Sequence, residues 1–222
     1  MQNFTAADLP DCCRPYIEYL TAELSPARLQ HSLGVMQTLL ELAPIYALDE
    51  EQAALTGLLH DAAKELSPGR RAALATEAGL SQEQPWEQDF VNGLHGPLGA
   101  HLVQHELDIQ DRLVLDAIAA HTFWGGGANF DHPLSWCLRF ADILEPYRRW
   151  DDHARWLRAG SPRLHALAYS GQLEAAACMH AGLLVHFFTE MNIPINPNLR
   201  RAYQERAARL PQAQAWFDLD LA

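Results

Sequence analysis

Apolar residues recur along the chain at the spacing of amphipathic helices. After the Ser25-Pro26 pair, which is typical of a helix start, apolar side chains return every three or four residues as far as Ala43. The same spacing reappears at intervals down the chain, and no alternating run of β-branched residues predicts a strand. The pattern therefore predicts an all-α protein whose helices each bury one face.

The further helices are placed by their start and stop signals. Caps, prolines and glycines predict helices at about 49–64, 68–79, 97–107, 111–121, 133–145 and 172–191, and a last one after 197. Shorter helical segments follow residue 150. Because no repeat, low-complexity tract or linker divides the chain, we expect one domain over residues 1–222. Its core would lie at about 25–150, with C-terminal helices at about 151–222 packed on it.

Charge and composition narrow the class of function. The 222 residues include 16 basic and 28 acidic side chains, and a net charge of -12 disfavours broad contact with nucleic-acid backbones. No apolar stretch is long enough to span a membrane, and the N-terminus lacks the basic end and apolar run of a signal peptide. We therefore expect a cytoplasmic protein that binds neither a nucleic-acid polymer nor a membrane. The oligomeric state is left open, and a homodimer is compatible with the sequence.

One basic residue differs from all the others. Lys64 is the single lysine among the 16 basic residues, and the rest are arginines. A bias that replaced lysine elsewhere did not replace it here, which makes Lys64 a candidate for function. Chance retention at a surface position is the alternative.

Histidines and aspartates on separate predicted helices are the strongest candidates for chemistry. A His-Asp dipeptide alone is a weak signal, because chance nearly supplies one in a chain of this composition. Packed helices can converge side chains on one point, and nitrogen and oxygen donors without thiolate suit two octahedral ions such as Fe, Mn or Co. A core position is the alternative for any single histidine. The candidates are His31, His60, Asp61, His95, His121 and Asp142.

These residues lie in segments that resemble a known family. The His60-Asp61 pair and its surroundings are similar to the HD-domain metal phosphohydrolases, and more narrowly to the YqeK-type branch of bacterial symmetrical diadenosine tetraphosphate hydrolases. The resemblance runs from about residue 25 to 205 and implies an HD-domain helical bundle with additional C-terminal helices. The segments that match are 31–35, 58–64, 94–100, 121–122, 141–148 and 193–198.

The resemblance also implies a set of metal ligands. Asp61 would bridge two divalent ions, most typically iron, with manganese and cobalt as alternatives. The second ion would also be held by His95 and His121. The first ion would be held by His31, His60, Asp61 and Asp142. Apolar neighbours on both sides of Asp142 predict that this carboxylate is buried.

The implied reaction is the hydrolysis of diadenosine tetraphosphate to two ADP, with Asp61 and Lys64 as the catalytic residues. Lys64 would face the substrate phosphates, together with one of Arg148 and Arg149. Two alternatives stay open at this point. One is an HD-domain phosphohydrolase that acts on a mononucleotide, a nucleoside triphosphate or a cyclic nucleotide, and the other is a non-catalytic, metal-stabilised nucleotide-binding module.

Three further residues are candidate substrate contacts. After His121-Thr122 the family usually continues Thr-Gly, whereas this chain has Phe123 and Trp124, either a hydrophobic plug or a platform on which adenine stacks. The glycines that follow favour an exposed lip, so we expect the platform. Glu145 could orient a metal ligand, contact a ribose hydroxyl or only end its helix. A second departure is Asn198-Leu199, where the family has Asn-Thr.

Overall fold

The computed structural model describes residues 9–125, 127–150 and 152–221. Within these ranges it contains eleven α-helices and no strand, which confirms the all-α prediction. A π-helix at Phe90–Leu94 lies directly before the sixth helix. The helices are α1 (Ile17–Glu23), α2 (Pro26–Leu42), α3 (Glu50–Leu59), α4 (Pro68–Glu77), α5 (Pro85–Gln88), α6 (His95–Glu106), α7 (Arg112–Ala120), α8 (Pro133–Leu144), α9 (Arg155–Tyr169), α10 (Leu173–Glu190) and α11 (Pro197–Arg209).

The predicted starts of α2, α3 and α4 are confirmed by their capping geometry. The side chains of Ser25, Asp49 and Ser67 each accept a hydrogen bond from the backbone amide three residues later. Such a bond satisfies one of the free amides of a first helical turn. Gly79 follows the end of α4 with a φ of 61°, a conformation that glycine adopts without strain.

Helix α3 ends earlier than predicted, and this difference shapes the site. The helix stops at Leu59 rather than near Lys64, and residues 60–64 form tight turns. Nδ1 of His60 lies 2.9 Å from the carbonyl oxygen of Gly57, the acceptor that a continuing helix would offer to the amide of Asp61. The turn places His60, Asp61 and Lys64 together at one end of the bundle.

Helix α2 occupies the middle of the fold, packed against both α3 and α8. A glycine permits the close approach of α2 and α3, since a Cβ on Gly57 would lie 2.5 Å from the Cα of Met36. On the other side of the molecule, α9 and α10 pack on α8, and α11 packs on α10. One apolar cluster continues from α2 through α8 into these last three helices. No helix in the described part of the chain is long and apolar enough to cross a membrane.

Candidate metal centre

The six predicted metal ligands come together at one end of the helix bundle. They reach the same place from α2, α6, α8 and the turns that follow α3 and α7. Five of them are buried, and Asp142 is partly exposed. Two groups of three residues each bring their donor atoms within 4.8 Å of one another. One group is His31, His60 and Asp142, and the other is His60, Asp61 and His121.

Asp61 lies between two pairs of histidines. Its Oδ2 is 3.7 Å from Nε2 of His31 and 3.6 Å from Nε2 of His60. Its Oδ1 is 3.3 Å from Nε2 of His95 and 3.8 Å from Nε2 of His121. Each carboxylate oxygen therefore faces a different histidine pair, which is the arrangement that a carboxylate shared between two ions requires.

Three of the histidines are oriented by backbone carbonyls. Nδ1 of His60, His95 and His121 lies 2.9, 3.0 and 2.6 Å from a carbonyl oxygen of the preceding turn. A carbonyl can only accept, so Nδ1 carries the proton and Nε2 presents its lone pair. This outer hydrogen bond is the usual way in which a metal-ligating histidine is held.

The fourth histidine, His31, is oriented by Glu145. The carboxylate of Glu145 is 1% exposed, lies 3.1 Å from Nδ1 of His31 and accepts a 2.6 Å hydrogen bond from the amide of Tyr147. Gly34 leaves room for it, since a Cβ there would lie 2.5 Å from Oε2. Of the three roles open to Glu145, the structure shows the one that orients His31. Glu145 also lines an open groove beside α2, so its expected contact with substrate stays a prediction.

The donor set fits a divalent transition-metal ion. Nε2 of His60 is buried and has no hydrogen-bond partner among the described residues. A buried, unpaired acceptor is costly unless an electrophile completes it. Imidazole nitrogens with carboxylate oxygens, and no thiolate, are the ligands of iron, manganese and cobalt sites. The centre therefore has both the chemistry and the free lone pair that such an ion needs.

The protonation states also suit ligation. Burial lowers the pKa of His60, His95 and His121, which keeps these imidazoles neutral. Burial would raise the pKa of Asp61, but the positive charge of nearby Lys64 holds it well below its usual range. His31 differs: burial lowers its pKa, but the carboxylates hydrogen-bonded to it outweigh burial and raise the pKa to about 9. An ion that binds His31 therefore displaces a proton.

Asp142 is less buried than its apolar neighbours predicted, and this expectation is wrong. Its side chain keeps 30% of its surface exposed. Oδ1 lies 3.1 Å from Nε2 of His31 and 3.3 Å from Nη2 of Arg148. The side chain comes from the last turn of α8, where it lines an open cavity rather than the helix interface.

Lys64 lies beside the six predicted metal ligands. Its Nζ donates to the carbonyl of Val91 at 2.8 Å and lies 3.0 Å from Nε2 of His95. Burial lowers the pKa of its ammonium. A side chain packed in this way is not the chance surface lysine of the alternative interpretation.

The two candidate arginines are placed differently. Arg148 is partly buried and contacts Asp142, whereas Arg149 is exposed and lines an open groove beside α2. Arg148 is therefore the one that reaches the cluster. Sequence reasoning missed Arg28, whose Nη1 donates to Oδ2 of Asp61 at 2.8 Å. Its position three residues before His31, on the same face of α2, was the signal that could have found it.

Phe123 lies inside the protein, so the expectation of an exposed lip is wrong for this residue. Its side chain is 2% exposed, and its ring lies about 6 Å from the rings of Phe130, Trp136 and His180. The ring packs within an apolar cluster as a hydrophobic plug. Trp124 is partly exposed and makes an edge contact with Trp86 at 5.4 Å.

A cavity opens from the cluster towards the C-terminal helices. It has a volume of about 200 Å³, and we call it the α10 cavity. Its polar end is lined by Lys64, His95, His121, Asp142 and Arg148. Its apolar end is lined by Leu157, Leu184, Phe187, Phe188, Pro194 and Leu199.

An open groove of about 770 Å³ lies on the other side of the centre, beside the start of α2. We call it the arginine groove, because it is lined by Arg28, Arg148 and Arg149. His31, Leu29 and Tyr147 also face it. The cluster thus has an accessible space on each side.

Comparison with known proteins is consistent with this geometry. The HD-domain family profile matches residues 28–154. A symmetrical bis(5'-nucleosyl)-tetraphosphatase of Halalkalibacterium halodurans is 28% identical, over 85% of this chain and 94% of the relative. One of Bacillus subtilis is 34% identical, over 57% of this chain and 65% of the relative. A crystal structure from Clostridium acetobutylicum, described as a predicted HD superfamily hydrolase involved in NAD metabolism, matches with a TM-score of 0.74 and 30% identity, over 86% of this chain and 95% of that one.

Proposed function

Because the chain belongs to the HD-domain family, we propose that it hydrolyses diadenosine tetraphosphate symmetrically to two ADP. The observation that carries this proposal is the carboxylate of Asp61 facing two histidine pairs, one at each oxygen. The named activity of the two bacterial relatives supports the choice of substrate. The α10 cavity and the arginine groove provide room for a substrate with two ends.

The cofactor that we propose is a pair of divalent ions, iron first, with manganese and cobalt as alternatives. His31, His60, Asp61 and Asp142 would hold one ion. His95 and His121 would hold the other, with Asp61 shared. When bound, such a pair polarises a phosphoryl group and lowers the pKa of a water molecule.

The chain's own residues have separate tasks in this proposal. Lys64 would donate a proton or hydrogen bond to the departing ADP oxygen, a transfer made easier because burial lowers its pKa. Arg148, which lines both spaces, would neutralise charge that develops on the phosphates. Glu145 would hold His31 in its ligating orientation through Nδ1.

The test is hydrolysis of diadenosine tetraphosphate by the manganese- or iron-loaded protein in heavy-oxygen water. One water oxygen joins an inner phosphorus, and the old bridging oxygen leaves with the other half of the substrate. We therefore expect ADP as the product, with one labelled and one unlabelled molecule from each substrate, resolved by mass spectrometry. ATP plus AMP as products would contradict symmetrical cleavage.

A further inference from the structure

The two spaces beside the centre are chemically different. Among the described lining residues, Arg148 alone is shared by the α10 cavity and the arginine groove. His95 and His121 face the cavity, whereas His31 faces the groove. The centre therefore lies between two sites of unlike character, rather than at the bottom of one site.

The α10 cavity suits a nucleobase with its first phosphate. Its apolar end is closed by side chains of α9, α10 and α11, and its polar end meets the centre at Lys64. Asn196 lines the cavity, is 6% exposed, and has an Nδ2 without a hydrogen-bond partner in the described structure. Its Oδ1 accepts from the amide of Asn198 at 2.8 Å, which leaves Nδ2 as the donor without a partner. A flat ring with acceptor nitrogens could accept a hydrogen bond from this donor.

The arginine groove suits phosphates. It is lined by three arginines and by two carboxylates, Glu65 and Glu145, and the second of these is hydrogen-bonded to a histidine. Arg149 is exposed, so its guanidinium is accessible to a ligand in the groove. Guanidinium groups with free donors are the usual partners of phosphate oxygens in proteins. Leu29 and Tyr147 add apolar surface on which a second nucleoside could rest.

We propose that a dinucleoside polyphosphate lies across the centre with one nucleoside in the α10 cavity and its other half along the arginine groove. A symmetrical substrate is thus held by two unlike sites. This inference rests on the proposed function, and it goes beyond it by assigning Asn196 and Leu184 to one half and Arg28 and Arg149 to the other. It also requires that the two ADP products leave from different sites.

The test is the number of ADP molecules that one Mn²⁺-loaded chain binds, measured by isothermal titration calorimetry. We expect two ADP per chain. Leu184→Trp fills the α10 cavity and should leave one. Arg149→Glu should leave the cavity site intact and raise the dissociation constant of the groove site roughly 10-fold or more, because it replaces a charge-assisted partner with a repulsive one. Arg201→Glu, the same charge change on an exposed residue outside both spaces, is the matched control and should still bind two.

The outcomes separate this inference from the proposed function. A wild-type protein that makes two ADP from diadenosine tetraphosphate but binds one ADP per chain overturns the inference and leaves the function intact. Equal weakening of both sites by either variant also overturns it. Failure of the wild type to release ADP from the substrate overturns the function itself. Circular dichroism checks folding, and Leu184→Phe, a smaller enlargement, replaces Leu184→Trp if that variant loses helix content.

Discussion

Two buried polar clusters in this protein use their hydrogen-bonding groups in opposite ways. Around Arg139, which is 1% exposed, Nε and Nη2 donate to the carbonyl of Ala120 and Nη1 donates to that of Phe130. Three aromatic rings lie 4.3 to 4.7 Å from its guanidinium carbon. At the metal centre, by contrast, Nε2 of His60 is buried without a partner in the described structure.

The difference separates a structural polar cluster from a functional one. Burial lowers the pKa of Arg139 to about 9, which still leaves it charged at neutral pH, and its donors are used in holding the end of α7. His121 follows that end directly, but the side-chain hydrogen bonds of Arg139 go to backbone carbonyls and not to a candidate ligand. The metal centre keeps a buried lone pair on Nε2 of His60, which a bound divalent ion would complete.

The largest expected effect comes from removing the shared carboxylate. Asp61→Ala should lose both ions and lower turnover by more than about 100-fold, above the usual cost of disturbing an outer-shell partner. His95→Ala should lose the second ion and keep much of the first. Elemental analysis with a turnover assay measures both. Equal metal content in the wild type and both variants would reject the assignment of Asp61 as the bridge.

Next in size is the effect of changing the one lysine. Lys64→Arg should lower turnover roughly 100-fold or more, the range for a lost general acid, while metal content stays at the wild-type level. A guanidinium does not readily give up a proton and does not fit the volume of an ammonium. Steady-state kinetics and elemental analysis on the same preparation provide the check. Wild-type turnover in this variant would show that Lys64 takes no part in the reaction.

A smaller effect, and one of a different kind, should follow from changing the structural arginine. Arg139→Met should destabilise the fold by about 2 to 5 kcal/mol, because two buried carbonyls lose their donors. The folded fraction should keep its ions and most of its turnover. Urea unfolding of the wild type and the variant measures the stability difference. Loss of metal without loss of stability would remove the distinction between the two clusters.

The starts of the helices could be predicted from the sequence because each signal acts on neighbouring atoms. Ser25, Asp49 and Ser67 cap amides three residues away, so the interaction is complete within one turn. The end of α3 could not be predicted in this way. There Nδ1 of His60 lies 2.9 Å from the carbonyl oxygen of Gly57, a contact that no start or stop signal in the sequence indicated.

The candidate ligands could be selected from their residue types and their places in the chain, and their assignment as ligands stays a prediction. The side chains that surround these candidate ligands, and how far each is buried, could not be predicted in this way. Phe123 looked exposed beside glycines, yet it is buried because Phe130 and Trp136 enclose it. Arg139 carried no signal, since a lone arginine in an apolar helix gives no hint of the carbonyls that it will meet.

The sequence by itself determined the helical class, the starts of α2, α3 and α4, and the set of residues that could form a centre, because each depends on local spacing or on residue type. Only the tertiary structure decided which atoms face one another. The contact between His31 and Glu145 joins residues 114 positions apart, and Arg28 reaches Asp61 across 33. Such pairs depend on how closely the helices pack, and packing is set by the shapes of many distant side chains together.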